Sequence, residues 1–203
     1  MPRKNLRELG GETLVARAVR SALAAQTLDR VVVSTDDDEI AAAAGAAGAE
    51  VVRRPGELAQ DDSPTVDALV HALTALDVSP RWTVTLEPTA PLRRWATIDR
   101  CVELAEEREA GSVVTVRADR GSFGRLDVGD RFRLLDPEAP RRRQDREPLY
   151  VEAGVVWVTR TASLLAGRTV LAEPVYAVVV DGEEAVDVND ELDLAVAEAI
   201  LRG

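Results

Sequence analysis

The stretch "PRKN" sets Arg3 and Lys4 beside Asn5, with Arg7 close behind and a Gly10-Gly11 turn leading into a helical run. Cations followed by a helix start read as the second half of a phosphate-binding element. Acidic and polar residues gather in four further places: "STDDD", "RRPGELAQDDSPT", "EPTAPLR" and "DVND". The 203 residues include one cysteine, Cys101, and one histidine, His71. That excludes an internal disulfide, a Cys-rich zinc site, a His-based triad and a multi-histidine metal site. Carboxylates, Arg and Lys, backbone amides and a hard metal ion are left to carry the chemistry. Cys101 shares a helical face with Ile98, Val102 and Ala105, which makes it a small core residue.

The net charge of −11 argues against non-specific nucleic-acid binding, which needs a basic stripe. A small polyanion is still compatible, because local Arg/Lys clusters and Mg²⁺ hold phosphates on acidic proteins. No apolar run approaches a bilayer span, and the first twenty residues lack a signal-peptide core, so a cytoplasmic protein is expected.

The elements that must position these residues alternate. "TLVARAVRSALAAQ" puts Val15, Val19 and Leu23 on one helical stripe, and "RVVVSTDDD" is a β-branched run closed by acids. Helix "DEIAAAAGAAGAE", strand "EVV", helix "SPTVDALVHALTAL", strand "WTVTLEPTAPL", helix "ATIDRCVELAEEREAG" and strand "SVVTVR" follow. Asp37 or Asp38 is suited to cap the helix after it. The rhythm predicts an α/β fold, a doubly wound, mostly parallel sheet covered on both faces, with ligands at the carboxyl ends of the strands. Each polar cluster falls just after a strand, which makes one site of them. Residues 118–150 break the pattern: they are Gly-, Pro- and Arg-rich, "FRLL" reads as an extended arm, and "PRRRQ" reads either as part of that arm or as a solvated loop. Strand "AGVVWVTR", helix "TASLLAG", strand "VYAVVVD" and helix "DELDLAVAEAILR" complete one domain over 1–203.

Six motifs in order, "PRKNLRELGG", "VVVSTDDDEIA", "RRPGELAQDD", "LEPTAPLRR", "YVEAGVVWV" and "AVDVNDELDLAVAE", resemble the cytidylyltransferases that make CMP-sialic acid and related CMP-activated sugars. The resemblance covers nearly the whole chain. It implies a nucleotide-diphospho-sugar transferase-like fold, a homodimer, Mg²⁺, and transfer of CMP from CTP to the anomeric hydroxyl of an acidic α-keto sugar with release of pyrophosphate. Such a transfer needs neutralised phosphates, an in-line nucleophile and a stabilised leaving group. By resemblance, Lys4 and Asn5 contact the nucleotide with Arg3 adding charge, and Arg54 recognises cytosine. Asp61, Asp62 and Ser63 would serve base and ribose, and a pocket of this kind discriminates strongly among bases. Asp187 matches the first acid of the family's metal-binding pair, and Asn189 replaces the second, offering a neutral oxygen in place of a charge. Asp190 either compensates or caps the last helix.

Two departures touch the sugar pocket. Glu87 stands where the family has Gln, marking either a changed acceptor or a supplementary metal ligand. Glu152-Ala153-Gly154-Val155 lacks the family's Asn. Arg125 and the Arg143-Gln144 pair match basic contacts to the sugar carboxylate, and 118–150 matches a dimerisation arm. Family members begin with a strand and a Gly-rich basic loop just ahead of "PRKN", and Met1 stands where that loop would end. Two expectations follow. Either the start is assigned late and the native protein is longer, or the chain lacks its triphosphate cradle; the first is favoured because a lost central strand exposes sheet edges. Alternative functions are the same chemistry on another nonulosonic acid or a phosphonate, and a non-catalytic nucleotide-binding or scaffold homologue.

Overall fold

The computed structural model describes Met1, residues 3–60 and residues 62–203. A 3₁₀ turn, Lys4–Leu6, leads into a hairpin of β1 (Glu8–Leu9) and β2 (Glu12–Thr13). Gly10 and Gly11 turn this hairpin at φ 62° and 80°, backbone that side chains disfavour. Thr13 then caps α1 (Leu14–Ala24) by accepting from the Ala16 amide. Of the stripe predicted for α1, Val15 and Val19 are buried but Leu23, in the last turn, is exposed, and Leu14, Ala18 and Ala22 beside the stripe are buried as well.

The next unit is β3 (Val32–Thr35), α2 (Asp38–Ala46) and β4 (Glu50–Arg53), with β3 and β4 parallel. Asp37 is the cap that the sequence suggests: its Oδ1 accepts from the Glu39 and Ile40 amides at 2.7 and 3.0 Å. Those two donors hold its carboxyl below the usual range. α3 (Thr65–Ala75) and β5 (Trp82–Thr85) follow, then α4 (Trp95–Glu107), β6 (Ser112–Asp119), β7 (Gly124–Asp127) and β8 (Arg131–Leu134). β9 (Leu149–Arg160), α5 (Thr161–Gly167), β10 (Val175–Val179) and α6 (Glu191–Arg202) close the chain.

The sheet is mixed. In the four-stranded order β10-β6-β9-β5, β10 and β6 are parallel, but β9 runs antiparallel to both neighbours. No helical crossover separates β6 from β9, so the chain returns beside itself as a long hairpin does. The segment 118–150 is also less irregular than its composition suggests. Its base extends the β6–β9 ladder to Asp119↔Leu149, and its tip is an antiparallel hairpin of β7 and β8. "FRLL" is indeed extended, as β8.

The main core lies between α4 and the four-stranded sheet, where Ile98, Cys101, Val113, Val155, Val156 and Val158 have no exposed surface. Burial pushes the Cys101 thiol up to about 12, which leaves it an inert core residue. β3 and β4 form a separate two-stranded sheet against α1 and α2. No helix among the described residues is long and apolar enough to cross a membrane.

Candidate active site

The loops after β3 and β5, the amino-terminal 3₁₀ turn and the segment before α6 converge at one edge. Arg3 pairs with Glu39 at the start of α2. Lys4 Nζ donates to Asn189 Oδ1 at 3.0 Å, and Asn189 Nδ2 donates to Asp187 Oδ2 at 2.7 Å. The Val188 amide donates to the Thr89 carbonyl at 2.7 Å, which fixes this acidic segment to the loop after β5. Residues 185 positions apart in the chain thus form one Lys4–Asn189–Asp187 relay.

α6 explains why that relay keeps its shape. Asp190 caps the helix in a capping box with Asp193, whose Oδ2 accepts from the amides of Asn189 and Asp190. Of the two roles open to Asp190, the cap is the one its side chain fills. Arg7, with no role assigned from sequence, ties the turn to α6 through Glu191 at 2.7 Å.

A cleft opens at this edge, lined by Asn5, Thr35, Asp36, Arg54, Glu87 and Pro88. Arg54 Nη2 lies 3.8 Å from Asp36, and its buried Nε has no partner among the described residues. A desolvated guanidinium N–H without an acceptor is costly, and a ligand carbonyl or ring nitrogen would satisfy it. Ser63 lies in the loop after β4, where its hydroxyl accepts from the Gln60 amide at 3.1 Å. Asp62 is exposed, and Asp61 lies outside the described residues.

Glu87 is held from behind by Arg93, a buried side chain that sequence reading passed over. Arg93 Nη2 donates to the Glu87 carbonyl at 2.5 Å and Nε to the Val155 carbonyl at 2.7 Å. Burial lowers its pKa to about 10, against the charges of Glu87 and Glu184, so it stays a cation at neutral pH. It ties the loop after β5 to β9 at the "EAGV" stretch. There the β6–β9 register shifts, and Thr115 Oγ1 takes the Val155 and Val156 amides at 3.1 and 3.0 Å. Gly154 answers that bulge with φ 68°. The "PLRR" string carried the only sequence sign of Arg93. Arg94, its neighbour, instead faces out to Asp181 at 2.6 Å, and that hydrogen bond raises its pKa.

The residues assigned to the sugar carboxylate are not brought to this cleft. Arg125 is exposed on β7, and Arg143 and Gln144 lie in a 3₁₀ turn of the arm, with Arg143 4.0 Å from Asp119. Nor do three or more acidic, His or Cys side chains converge as a metal-holding group among the described residues. The donors present are sparser. Asp187 is exposed, with one carboxylate oxygen on Asn189 and the other without a donor among the described residues. Mg²⁺ accepts such a site, keeping several waters and taking one or two carboxylates plus phosphate oxygens. Asp187 therefore fits Mg²⁺, whereas the Asn189 oxygen is engaged by Lys4.

Comparisons with known proteins bear on the family and the fold. A family model described as cytidylyltransferase matches residues 1–165. A CMP-N,N'-diacetyllegionaminic acid synthase of Legionella pneumophila is 27% identical over 99% of this chain and 90% of its own length. An N-acylneuraminate cytidylyltransferase of Streptococcus agalactiae is 26% identical over 95% of this chain and 48% of its own, so the chain spans about half of that relative. Among solved structures, a CMP:2-keto-3-deoxy-manno-octonic acid synthetase complexed with CTP superposes with a TM-score of 0.72 at 15% identity, covering 100% of this chain and 92% of that one. A 4-diphosphocytidyl-2C-methyl-D-erythritol synthase of Anaerococcus prevotii gives 0.70 at 13% identity, over 98% and 91%. At those identities the likeness concerns the fold.

Proposed function

The chain belongs to the cytidylyltransferase family, CTP-dependent nucleotidyltransferases, and we propose that it transfers CMP from CTP to the anomeric hydroxyl of an acidic α-keto sugar. The hydroxyl oxygen attacks the α-phosphorus and loses its proton to solvent, the bond to the oxygen that bridges to the β-phosphate breaks, and pyrophosphate leaves with that electron pair. The Lys4–Asn189–Asp187 relay, next to the cleft-lining Asn5, carries this reading, because it sets a cation that can offset phosphate charge beside an acid that can hold a metal ion.

In this reading Lys4, with Arg3 beside it, offsets phosphate charge, and Asn5 orients the nucleotide. Mg²⁺, held by Asp187, would withdraw charge from the phosphate oxygens. The orphaned Arg54 Nε serves the cytosine, and the loop holding Asp61, Asp62 and Ser63 serves base and ribose. Glu87 faces the acceptor; it accepts hydrogen bonds from hydroxyls or amides where Gln would also donate. That difference favours an acceptor rich in donors at that position. The arm, with Leu126, Phe132, Leu149 and Tyr150 exposed, supports a homodimer in which Arg125, Arg143 and Gln144 reach the partner's acceptor carboxylate.

The test is pyrophosphate release with CTP, ATP, GTP and UTP, each with Mg²⁺, against N-acetylneuraminate, N,N'-diacetyllegionaminate and 2-keto-3-deoxy-manno-octonate. Turnover confined to CTP, with one of the three acceptors preferred, is the expected result. Turnover with another nucleotide, or binding of none, removes the reading.

A further inference from the structure

Glu184 is a buried carboxylate that the reaction as proposed leaves unused: its side chain is 2% exposed. It belongs to the segment that leaves β10 and carries Asp187. Burying a carboxylate is costly unless donors and cations surround it, and here both do. Oε1 accepts from the Arg94 amide at 3.0 Å, and Oε2 lies 3.7 Å from Arg94 Nη1. Arg94 stands just ahead of α4 without capping it by its side chain, and the carboxylate at that helix start comes from 90 positions away. Buried Arg93 lies next to it in the chain. Its Nη1 has no hydrogen-bond partner among the described residues, and the charges of Glu87 and Glu184 favour its cation.

The segment is pinned on both sides of Asp187. Upstream it turns tightly: the amides of Glu184 and Ala185 donate to Asp181 Oδ1 and to the Asp181 carbonyl, at 2.8 and 3.1 Å. Arg94 Nη1 holds the other oxygen of Asp181 at 2.6 Å. Ala185 then packs on the main core, and Val186 on the cluster around Leu9 and Leu14. Downstream, Val188 is fully buried and its amide is on the Thr89 carbonyl. Asp187 lies exposed between these anchors, bonded among the described residues to Asn189 alone. The backbone on either side therefore sets its direction. The downstream anchor is apolar and backed by the α6 cap, whereas the upstream one depends on the charge of Glu184. Arg93 Nη2 and the Arg94 amide are one residue apart, so the loop presenting Glu87 and the segment presenting Asp187 are fixed to each other at one point.

We infer that Glu184 is a positioning residue: its buried carboxylate, locked on the start of α4, sets the direction in which Asp187 faces a metal ion and the phosphates. The inference rests on the role proposed for Asp187. Charge is what the position needs. Glu184→Gln keeps the shape and one acceptor, but it turns an amide N–H₂ towards the Arg93 and Arg94 guanidiniums, donors facing donors.

The test is binding of Mn²⁺, a paramagnetic stand-in for Mg²⁺, to the full chain at fixed CTP, read by electron paramagnetic resonance against a protein-free control. The parent is compared with Asp187→Ala, Glu184→Gln, Arg94→Ala and the core truncation Val156→Ala. Losing a group that holds a metal ligand in place typically costs about tenfold or more in affinity. Glu184→Gln is accordingly expected to weaken Mn²⁺ binding about tenfold, and Arg94→Ala, an exposed change, at least about twofold. Val156→Ala, which loses stability without touching this segment, is expected to bind like the parent. Parent-like binding by Glu184→Gln overturns the inference. Should that variant fail to fold, parent-like binding by Arg94→Ala overturns it instead. Equal weakening in Val156→Ala also overturns it, since the loss is then one of general stability. If Asp187→Ala itself binds like the parent, the role proposed for Asp187 falls first, and the positioning of it falls with that role.

Discussion

The central strands β6 and β9 and the edge strands β3 and β5 are built from the same kinds of residue and differ sharply in burial. Val113, Val155, Val156 and Val158 of β6 and β9 are fully buried, whereas Val32, Val33 and all of Trp82–Thr85 are only partly covered. Val33 and Val156 are chemically one residue. What separates them is a neighbouring strand on both sides for β9 and on one side for β3. A β-branched run specifies a strand that wants burial, and its neighbours decide how much it gets. The candidate cleft lies at the seam: Asp36 and Arg54 follow the strands of the smaller sheet, Glu87 follows β5 of the larger one, and the Lys4–Asn189–Asp187 relay lies beside Asn5 on the lining.

The largest expected effect tests that seam. Asp187→Ala should cut pyrophosphate release by about a hundredfold or more while leaving the thermal midpoint in place, because the side chain is exposed and caps nothing. Unchanged turnover would take Asp187 out of the chemistry; a matching fall in stability would make it a structural link.

Next come paired core truncations, read by urea unfolding. Val156→Ala should cost about 2 kcal/mol, the transfer term plus an unrelieved cavity. Val33→Ala should cost under about 1 kcal/mol, since its neighbour is already open space. Equal costs would mean that central and edge strands are packed alike in solution, and the contrast would fail.

The smallest effect concerns the tie between the halves. Asp99 on α4 accepts from the Gln26 amide, and from the amide and hydroxyl of Thr27, at 2.8–3.1 Å, in the loop that leads to β3. Burial raises the Asp99 pKa, but these donors outweigh it, and the carboxyl ends below its ordinary 3.8. A depressed folded pKa contributes stability that is complete above the unfolded value and lost as pH falls through the folded one. Asp99→Asn should therefore cost about 1.5 kcal/mol at pH 7, with the gap to the parent closing below 3.8. A gap constant down to pH 2.5 would show that charge has no part in the tie.

Periodicity and caps made much of this architecture legible. The α1 stripe, the Asp37 cap and the buried face around Cys101 all depend on residues within a few positions of one another, where local geometry decides. The direction of β9 was hidden, because nothing in "AGVVWVTR" tells a strand which way its neighbours run. Arg93 was hidden for a similar reason: its partners, the Glu87 and Val155 carbonyls, are backbone groups that every sequence has. At the site, the polar clusters after the strands were legible by residue type, the roles of Lys4, Arg54, Glu87 and Asp187 came from the resemblance, and Arg54 and Glu87 line one cleft while Lys4 joins Asp187 through Asn189. Arg125, Arg143 and Gln144 were picked out by resemblance, and they lie out on the arm.

The sequence by itself determined the elements, their order and the store of cations and acids, since these follow from local propensity and side-chain chemistry. Tertiary structure alone decided that Lys4 would meet Asn189, that β9 would run against its neighbours, and that Arg93 would reach the Glu87 and Val155 carbonyls. Those outcomes depend on contacts between distant segments, whose energies exist only once the chain has closed on itself.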